Sequence, residues 1–262
     1  NAEIITISAP DGMQDRGKRW NEAILNTINS RTKLVAMANI HWADGTLFNL
    51  IDIRKRTNEV GALLVIDGTQ SVGALSFDVE EIQPDALIVA GYKSLMGPYS
   101  IGLAYYGAAF DDGSPIEQNW INRNESDDFA NLVNYSDDYQ PKALRYGVGE
   151  QSNFILVPMM LAALRALNEW KPEHIQNYCK SITEESVKKL TEAGFIIDDA
   201  EFRAANLFGI RLGAHHKMDE VKSALTKNNI FVSYRGDAIR VSPNVYNDKT
   251  DMEKLTHTLL SC

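Results

Sequence analysis

A lysine and an aspartate each follow a strand-like apolar run in this 262-residue sequence. The run "LLVID" ends on Asp67, and "DALIVAG" (residues 85–91) precedes Lys93 by two positions. Because the carboxyl ends of parallel strands meet at one edge of a sheet, both side chains are expected to face one cleft. A carboxylate ending a buried strand would also need a partner to offset its desolvation. Pyridoxal phosphate requires this pair, an amine for a Schiff base and a carboxylate to keep its pyridine nitrogen protonated.

The elements that would position this pair follow a repeated strand–helix order. Strand-like runs that are apolar on both faces alternate with segments of helical period, which favours a mostly parallel sheet covered by helices. We predict an α/β large domain over residues 1–170 on this basis. The runs and helical segments behind this prediction are residues 3–8, 19–30, 33–40, 47–61, 62–67 and 85–91, with further helices at about 151–169 and 171–194.

The last third of the chain has a different pattern and predicts a smaller α+β domain over residues 171–262. Its strand candidates are residues 206–212, 230–235 and 238–243, with helices near 216–228 and 248–261. Within the predicted large domain, before the helix at about 151–169, residues 110–142 form a long polar connection that is either a functional loop or disordered. Its aromatic side chains argue against simple disorder.

Composition excludes several classes of protein. The formal charge of -9 and the pI near 5.1 argue against a nucleic-acid partner. The sequence has no apolar run of membrane-spanning length and no leader-like start, which predicts a cytoplasmic protein without a membrane partner. Its two cysteines, Cys179 and Cys262, make a poor disulfide framework and a poor metal site, so we expect no metal.

The segment "VIDGTQSVGALSFDVEEIQPDALIVAGYKSLMGPYSIGLAYYG" (residues 65–107) resembles the core of the class V aminotransferases. This branch of the fold-type I pyridoxal-phosphate enzymes includes cysteine desulfurases, isopenicillin-N-epimerase-like proteins and kynureninase. The likeness rests on D-x-x-Q-S-x-G followed by K-x-x-x-G-P. It implies the fold-type I architecture, with Lys93 forming the Schiff base, Asp67 paired with the pyridine nitrogen and Gln70 hydrogen-bonded to the phenolic oxygen of the ring.

Two further segments resemble parts of the same family. Residues 230–247, "IFVSYRGDAIRVSPNVYN", look like the small-domain strand pair whose arginine, here Arg240, binds a substrate carboxylate through two hydrogen bonds. Strand alternation would place Arg240 opposite its apolar neighbours and toward the cleft. A solvated strand arginine is the alternative, in which case Arg123 is the next candidate. Residues 145–153 resemble a segment that reaches the partner subunit's site, which predicts a homodimer.

The sequence also departs from the family pattern. Ala90 stands where desulfurases commonly carry a serine, and it cannot bind a phosphate. Tyr92 can, and a tyrosine before the lysine resembles the kynureninase-like and epimerase-like branches. His41 and Trp42, in "HWADG", stand near the place where many desulfurases have an asparagine over the cofactor; they either contact the ring or simply pack the loop.

Three hypotheses remain open. The first is a pyridoxal-phosphate enzyme acting on an amino acid, with transamination, racemisation or epimerisation, and elimination or Cβ cleavage all possible on the same site. The second is a degenerate, non-catalytic relative, because the family usually has a further segment before residues 3–8 that supplies a phosphate-binding turn. The third, a dinucleotide binder, lacks a G-x-G-x-x-G turn. A desulfurase ranks below the first, since residues 228–240 contain no cysteine; it would need a partner's thiol or selenocysteine-lyase-like chemistry.

Overall fold

Two separate β-sheets organise the chain in the computed structural model, which describes residues 2–12, 14–149 and 153–262. The first sheet has the order β1-β2-β3-β4, and the second has the order β5-β7-β6. The strands are β1 (Leu34–Ala38), β2 (Leu63–Asp67), β3 (Ala86–Ala90), β4 (Gly102–Tyr106), β5 (Phe208–Arg211), β6 (Ser233–Arg235) and β7 (Ala238–Val241). The helices are α1 (Arg16–Thr27), α2 (Leu50–Val60), α3 (Val79–Ile82), α4 (Leu156–Trp170), α5 (Pro172–Glu192), α6 (Met218–Lys227) and α7 (Lys249–Leu260).

The first sheet is mostly parallel, which confirms the prediction. β1 pairs with β2 and β2 with β3 in parallel, with α2 and α3 as the crossovers. The local sequence fixes the bounds of α2. The Asn49 side chain accepts the Asp52 N–H at its start, and Gly61, at a φ of 70°, ends it in a conformation that favours glycine. β2 therefore begins two residues later and leads directly to Asp67.

β4 is a strand that the sequence pattern did not indicate, and it runs antiparallel to β3. The connection between the two strands, residues 91–101, is closed by backbone hydrogen bonds. The Gly91 N–H donates to the Ile101 carbonyl at 2.9 Å, and the Gly97 N–H donates to the Gly91 carbonyl at 2.8 Å. A Cβ atom on Gly91 would lie 2.5 Å from the Ile101 carbonyl oxygen, so a side chain there would push the strands apart. The backbone of the segment that holds Lys93 is thus fixed at both ends.

The second sheet has one apolar face and one face that carries arginines. Phe208, Ile210, Ile239 and Val241 are buried in a core with helices α5, α6 and α7. Directly paired residues of neighbouring strands share a face. The pairs Gly209–Arg240, Ser233–Arg240, Arg211–Ala238 and Arg235–Ala238 therefore form the opposite face.

α5 contributes to both hydrophobic cores. Ile175 and Cys179, in its first half, are buried with residues of the first sheet, whereas Ile182 and Leu190 are buried with the second sheet. The domain division near residue 170 stays a prediction. No helix in the described ranges is long and apolar enough to cross a membrane.

The predicted strand over residues 3–8 is wrong. Within the part of the chain that the structure describes, this segment pairs with no strand, and Ile4 and Ile5 are 91% and 57% exposed. It is held instead by a side chain, because Trp20 Nε1 donates to the Ile7 carbonyl at 2.9 Å. Residues 110–142 form the expected long connection, which is irregular apart from short 3₁₀ turns.

Candidate functional site

Lys93 lies in the turn between β3 and β4, three residues after β3 ends. Its side chain remains accessible to solvent. The Tyr92 and Tyr99 rings stack at a centroid distance of 4.3 Å, and Lys93 Nζ lies 5.7 Å from the Tyr92 centroid. The paired tyrosines thus form an aromatic wall beside the amine.

Asp67 ends β2 and is exposed, which corrects the expectation of a buried carboxylate in need of a partner. Its Oδ1 accepts the Thr69 N–H at 2.9 Å, and Thr69 Oγ1 accepts the Ala90 N–H at 3.1 Å. A Cβ on Gly73 would lie 2.5 Å from the Ser94 carbonyl oxygen. The turn after β2 therefore packs directly on the turn that holds the lysine.

Two charged side chains act on Lys93, Asp67 at the end of β2 and Arg240 on β7. Shielding from water lowers the pKa of Lys93, the negative charge of Asp67 opposes this change, and the positive charge of Arg240 adds to it. The structure therefore brings Asp67 and Arg240 within electrostatic reach of Lys93. A lysine whose pKa is lowered has more of its amine in the neutral, nucleophilic form.

Arg240 reaches the first sheet through the loop at residues 41–45. Its Nη1 donates to the Trp42 carbonyl at 2.7 Å, while its Nε is buried without a hydrogen-bond partner among the described residues. Arg235 lies close by, with its guanidinium carbon 5.8 Å from the centroid of the Trp42 ring. Burial, and then the charge of Arg235, lower the pKa of Arg240. Trp42, 53% exposed, is thus in contact with both arginines.

His41 is oriented by a buried carboxylate that the sequence analysis did not single out. Its Nδ1 lies 2.8 Å from Asp44 Oδ1, and its ring packs edge-on against Trp20 at 4.8 Å. Asp44 Oδ2 also accepts hydrogen bonds from Arg16 at 2.5 Å and Arg211 at 2.6 Å. These interactions explain how a carboxylate with a side chain only 2% exposed stays charged.

The pKa of Asp44 reflects this balance. Burial acts to raise it, but hydrogen bonds from His41 and Arg211 and the charge of Arg16 hold it well below its usual range. A signal in the sequence could have indicated the role of Asp44. Gly45, which follows it, has a φ of 75°, a conformation that favours glycine. A Cβ at Gly45 would lie 2.2 Å from the Leu207 carbonyl oxygen. The dipeptide Asp44–Gly45 therefore marks a place where two backbone segments approach closely.

The remaining predicted residues lie in different places. Gln70 is half-buried in the turn after β2. Arg123 lies within its own loop, where it donates to the Asp137 carbonyl and to Gln118 and covers the Tyr139 ring at 3.9 Å. The predicted dimer segment, residues 145–153, includes residues 150–152, which lie outside the described residues.

Comparison with known proteins gives a family match. The family model "Aminotransferase class-V" matches residues 6–255. An uncharacterised aminotransferase of Bacillus subtilis is 28% identical over 230 residues, which cover 86% of this chain and 58% of the relative. A probable cysteine desulfurase of Pyrococcus abyssi is 38% identical over 80 residues, covering 30% of this chain and 20% of the relative.

A solved structure supports the fold. The apo cysteine desulfurase of Thermococcus onnurineus superposes with a TM-score of 0.73 at 21% identity, covering 92% of this chain and 62% of that one. This likeness confirms the predicted fold type I. The chain spans less than two thirds of the length of these relatives.

Proposed function

The chain belongs to the aminotransferase class-V family, a family of pyridoxal-phosphate enzymes, and we propose that it carries the lysine site of such an enzyme acting on an amino acid. The observation that carries the proposal is the convergence of Lys93, Asp67 and Arg240 from the ends of β2 and β3 and from β7. One amine, one carboxylate and one guanidinium match the aldehyde, the ring nitrogen and the substrate carboxylate, respectively.

The residues present fit pyridoxal phosphate at two of its functional groups. Lys93 offers an accessible amine with a lowered pKa, which suits attack on an aldehyde. Asp67 is exposed and accepts a backbone N–H at Oδ1, so its carboxylate has capacity left for a ring N–H. Tyr92, Gln70, His41 and Trp42 remain proposed cofactor contacts through the phosphate, the phenolic oxygen and the ring face.

When bound, pyridoxal phosphate supplies an electron sink for the negative charge that develops at the α-carbon of the substrate. Lys93 is the base placed to remove the α-proton and to return it. Asp67 holds a proton on the ring nitrogen. Arg240 binds the α-carboxylate with its planar fork and so orients the bonds of the α-carbon. Transamination, epimerisation and Cβ cleavage share these roles, and the aminotransferase-like reaction is our first choice.

A desulfurase that uses its own cysteine is disfavoured by the positions of both thiols. Cys179 is buried in α5, and burial raises its pKa to about 11, which suppresses the nucleophilic thiolate. Burial and the charge of Glu220 also raise the pKa of Cys262. We therefore propose that neither thiol acts as a desulfurase nucleophile. A non-catalytic relative remains the alternative that the experiment below would identify.

We further propose a homodimer, as the resemblance of residues 145–153 to a segment that reaches a partner subunit predicts. Several large apolar side chains on α4 are exposed, and a second copy would cover them; they include Val157, Met159 and Leu161. Sedimentation at micromolar protein concentration checks this point, and a monomer under all conditions would contradict it. The cytoplasmic location stays a prediction.

The experiment that tests the proposed function compares two lysine variants of the full-length protein loaded with pyridoxal phosphate. Lys93→Ala should lose the visible absorption band of the bound cofactor and the exchange of substrate α-deuterium with water. Lys55→Ala, an exposed lysine in α2, should keep both. A parent protein that binds cofactor but exchanges no α-deuterium from any amino acid would favour the non-catalytic relative.

A further inference from the structure

Three arginines project from one face of the second sheet. Arg240 on β7 is paired with Ser233 on β6, and Arg235 lies two residues beyond Ser233, so both arginines share this face. Arg211 on β5 is paired with Ala238 and lies on the same face. The face is directed at the loop of residues 41–45, where Asp44 contacts Arg211 and Trp42 contacts Arg240.

Of these three arginines, only Arg211 forms ion pairs with carboxylates of the described residues. It binds Asp44 at 2.6 Å and Asp237 at 3.1 Å. Arg240 donates to the Trp42 carbonyl, and Arg235 Nη1 donates to the Tyr234 carbonyl at 2.8 Å. Neither has a carboxylate within ion-pair distance among residues 2–12, 14–149 and 153–262.

Two like charges next to each other are unfavourable without an anion. Arg240 and Arg235 both contact Trp42, and the charge of Arg235 lowers the pKa of Arg240. Lys93 adds a third positive group, and Asp67 is the carboxylate that acts on it. One substrate carboxylate on Arg240 would leave the charge of Arg235 uncompensated. A second acidic group on the substrate would compensate it.

We propose that Arg235 is a second anion subsite and that the substrate is an amino acid with an acidic side chain, its α-carboxylate on Arg240 and its side-chain carboxylate on Arg235. The Trp42 ring supports this role, because a guanidinium beside an aromatic face is held in place while its N–H groups stay free to donate. The inference rests on the proposed function, since it assumes that Arg240 binds an α-carboxylate.

The test measures equilibrium binding of L-glutamate, L-aspartate and L-alanine to the cofactor-loaded full-length protein by titration calorimetry. The parent should bind one of the two dicarboxylates at least about tenfold more tightly than L-alanine, because only a dicarboxylate places a second anionic group on the Arg235 guanidinium. Arg235→Gln should remove this preference and leave the binding of L-alanine unchanged. Arg235→Lys should restore part of it, and Arg31→Gln, at an exposed arginine, should have no effect.

Three results would overturn the inference. A parent that binds L-alanine as tightly as both dicarboxylates has no second subsite. An Arg235→Gln variant that weakens all three ligands equally would make Arg235 a positioning residue for Trp42 and Arg240. An Arg235→Gln variant that retains the full preference for a dicarboxylate would show that the side-chain carboxylate of the substrate binds at another residue. Failure of the proposed function is separate, because it appears as loss of the cofactor band or of all amino-acid binding in the parent.

Discussion

Arg211 and Arg240 lie on the same face of the same sheet, but they have opposite electrostatic surroundings. The side chain of Arg211 is 5% exposed and lies between two carboxylates. Arg240 is half-buried, donates to a backbone carbonyl and has another arginine as its charged neighbour. One loop, residues 41–45, provides the Asp44 carboxylate to the first and the Trp42 carbonyl to the second.

The difference separates an arginine that holds the structure together from one that is available to a ligand. The charge of Arg211 is used inside the protein, where it links β5 to the loop after β1. For Arg240 we propose that the charge binds an anionic ligand. Stability should therefore depend on the cluster around Asp44, and binding and catalysis on the group around Lys93.

The largest expected effect is on folding stability, from removal of Asp44. Asp44→Ala leaves the buried Arg211 and the half-buried Arg16 without this partner, so the free energy of unfolding should fall by about 3–5 kcal/mol. Asp67→Asn, at an exposed carboxylate, should change it by less than about 1 kcal/mol. Urea denaturation measures the free energy of unfolding of both variants. Equal decreases would show that the two regions contribute equally to stability, against this prediction.

The same cluster predicts a dependence of stability on pH. The folded-state pKa of Asp44 lies below its usual value, so the unfolded state binds more protons in acid. The contribution of Asp44 is present at neutral pH and is lost as the pH falls below about 5. The stability difference between parent and Asp44→Ala should shrink over this acid range; a constant difference would contradict the assigned charge state.

The second effect is on chemistry, from Asp67→Asn. A neutral amide cannot keep the ring nitrogen protonated, so exchange of substrate α-deuterium should fall about a hundredfold or more while the cofactor still binds. Exchange at the parent's rate would show that Asp67 is not the partner of the pyridine nitrogen. A capping role at the turn after β2, where Asp67 accepts the Thr69 N–H, would instead lower stability alone.

A smaller effect is expected from Arg240→Lys, which keeps the charge and loses the planar fork. The Michaelis constant for the amino acid should rise about tenfold, and the cofactor spectrum should not change. Arg31→Lys is the control at an exposed arginine. Normal binding in Arg240→Lys, judged by the spectral shift on adding substrate, would move the carboxylate site elsewhere, with Arg123 as the next candidate.

The smallest effect concerns the reactivity of Lys93 in protein without cofactor. Shielding from water lowers the pKa of Lys93, although the negative charge of Asp67 acts in the opposite direction. A larger fraction of its amine is therefore neutral than in an ordinary lysine. Competitive labelling with a limiting amount of acetic anhydride should modify Lys93 a few times faster than Lys55. Equal rates would argue against a lowered pKa of Lys93.

Local patterns in the sequence predicted the part of the site that depends on strand ends. Buried apolar runs ending at Asp67 and just before Lys93 indicated two neighbouring parallel strands, and alternation around Arg240 indicated its face. Residues 3–8 carry the same kind of apolar pattern, but no strand of the described residues pairs with them, so the pattern alone was misleading.

Long-range contacts could not be predicted in the same way. Asp44 and Arg211 are 167 positions apart, and the sequence of neither segment predicts that the two side chains pair. The contact between Arg235 and Trp42 likewise requires the second sheet to face the loop of residues 41–45. The sequence offered only the positions of small residues, such as Gly209, where a Cβ would lie 3.0 Å from Asp44 Cβ.

Peptide mapping is the direct test of whether Lys93 is the residue that holds pyridoxal phosphate. The full-length protein is loaded with cofactor, reduced with borohydride, digested and analysed by mass spectrometry. We expect the reduced pyridoxyl group on the peptide that contains Lys93. The Lys93→Ala variant should carry no pyridoxyl group, and the Lys55→Ala variant should carry it as the parent does. A pyridoxyl group on another lysine, or none on a protein that shows bound cofactor, would contradict it.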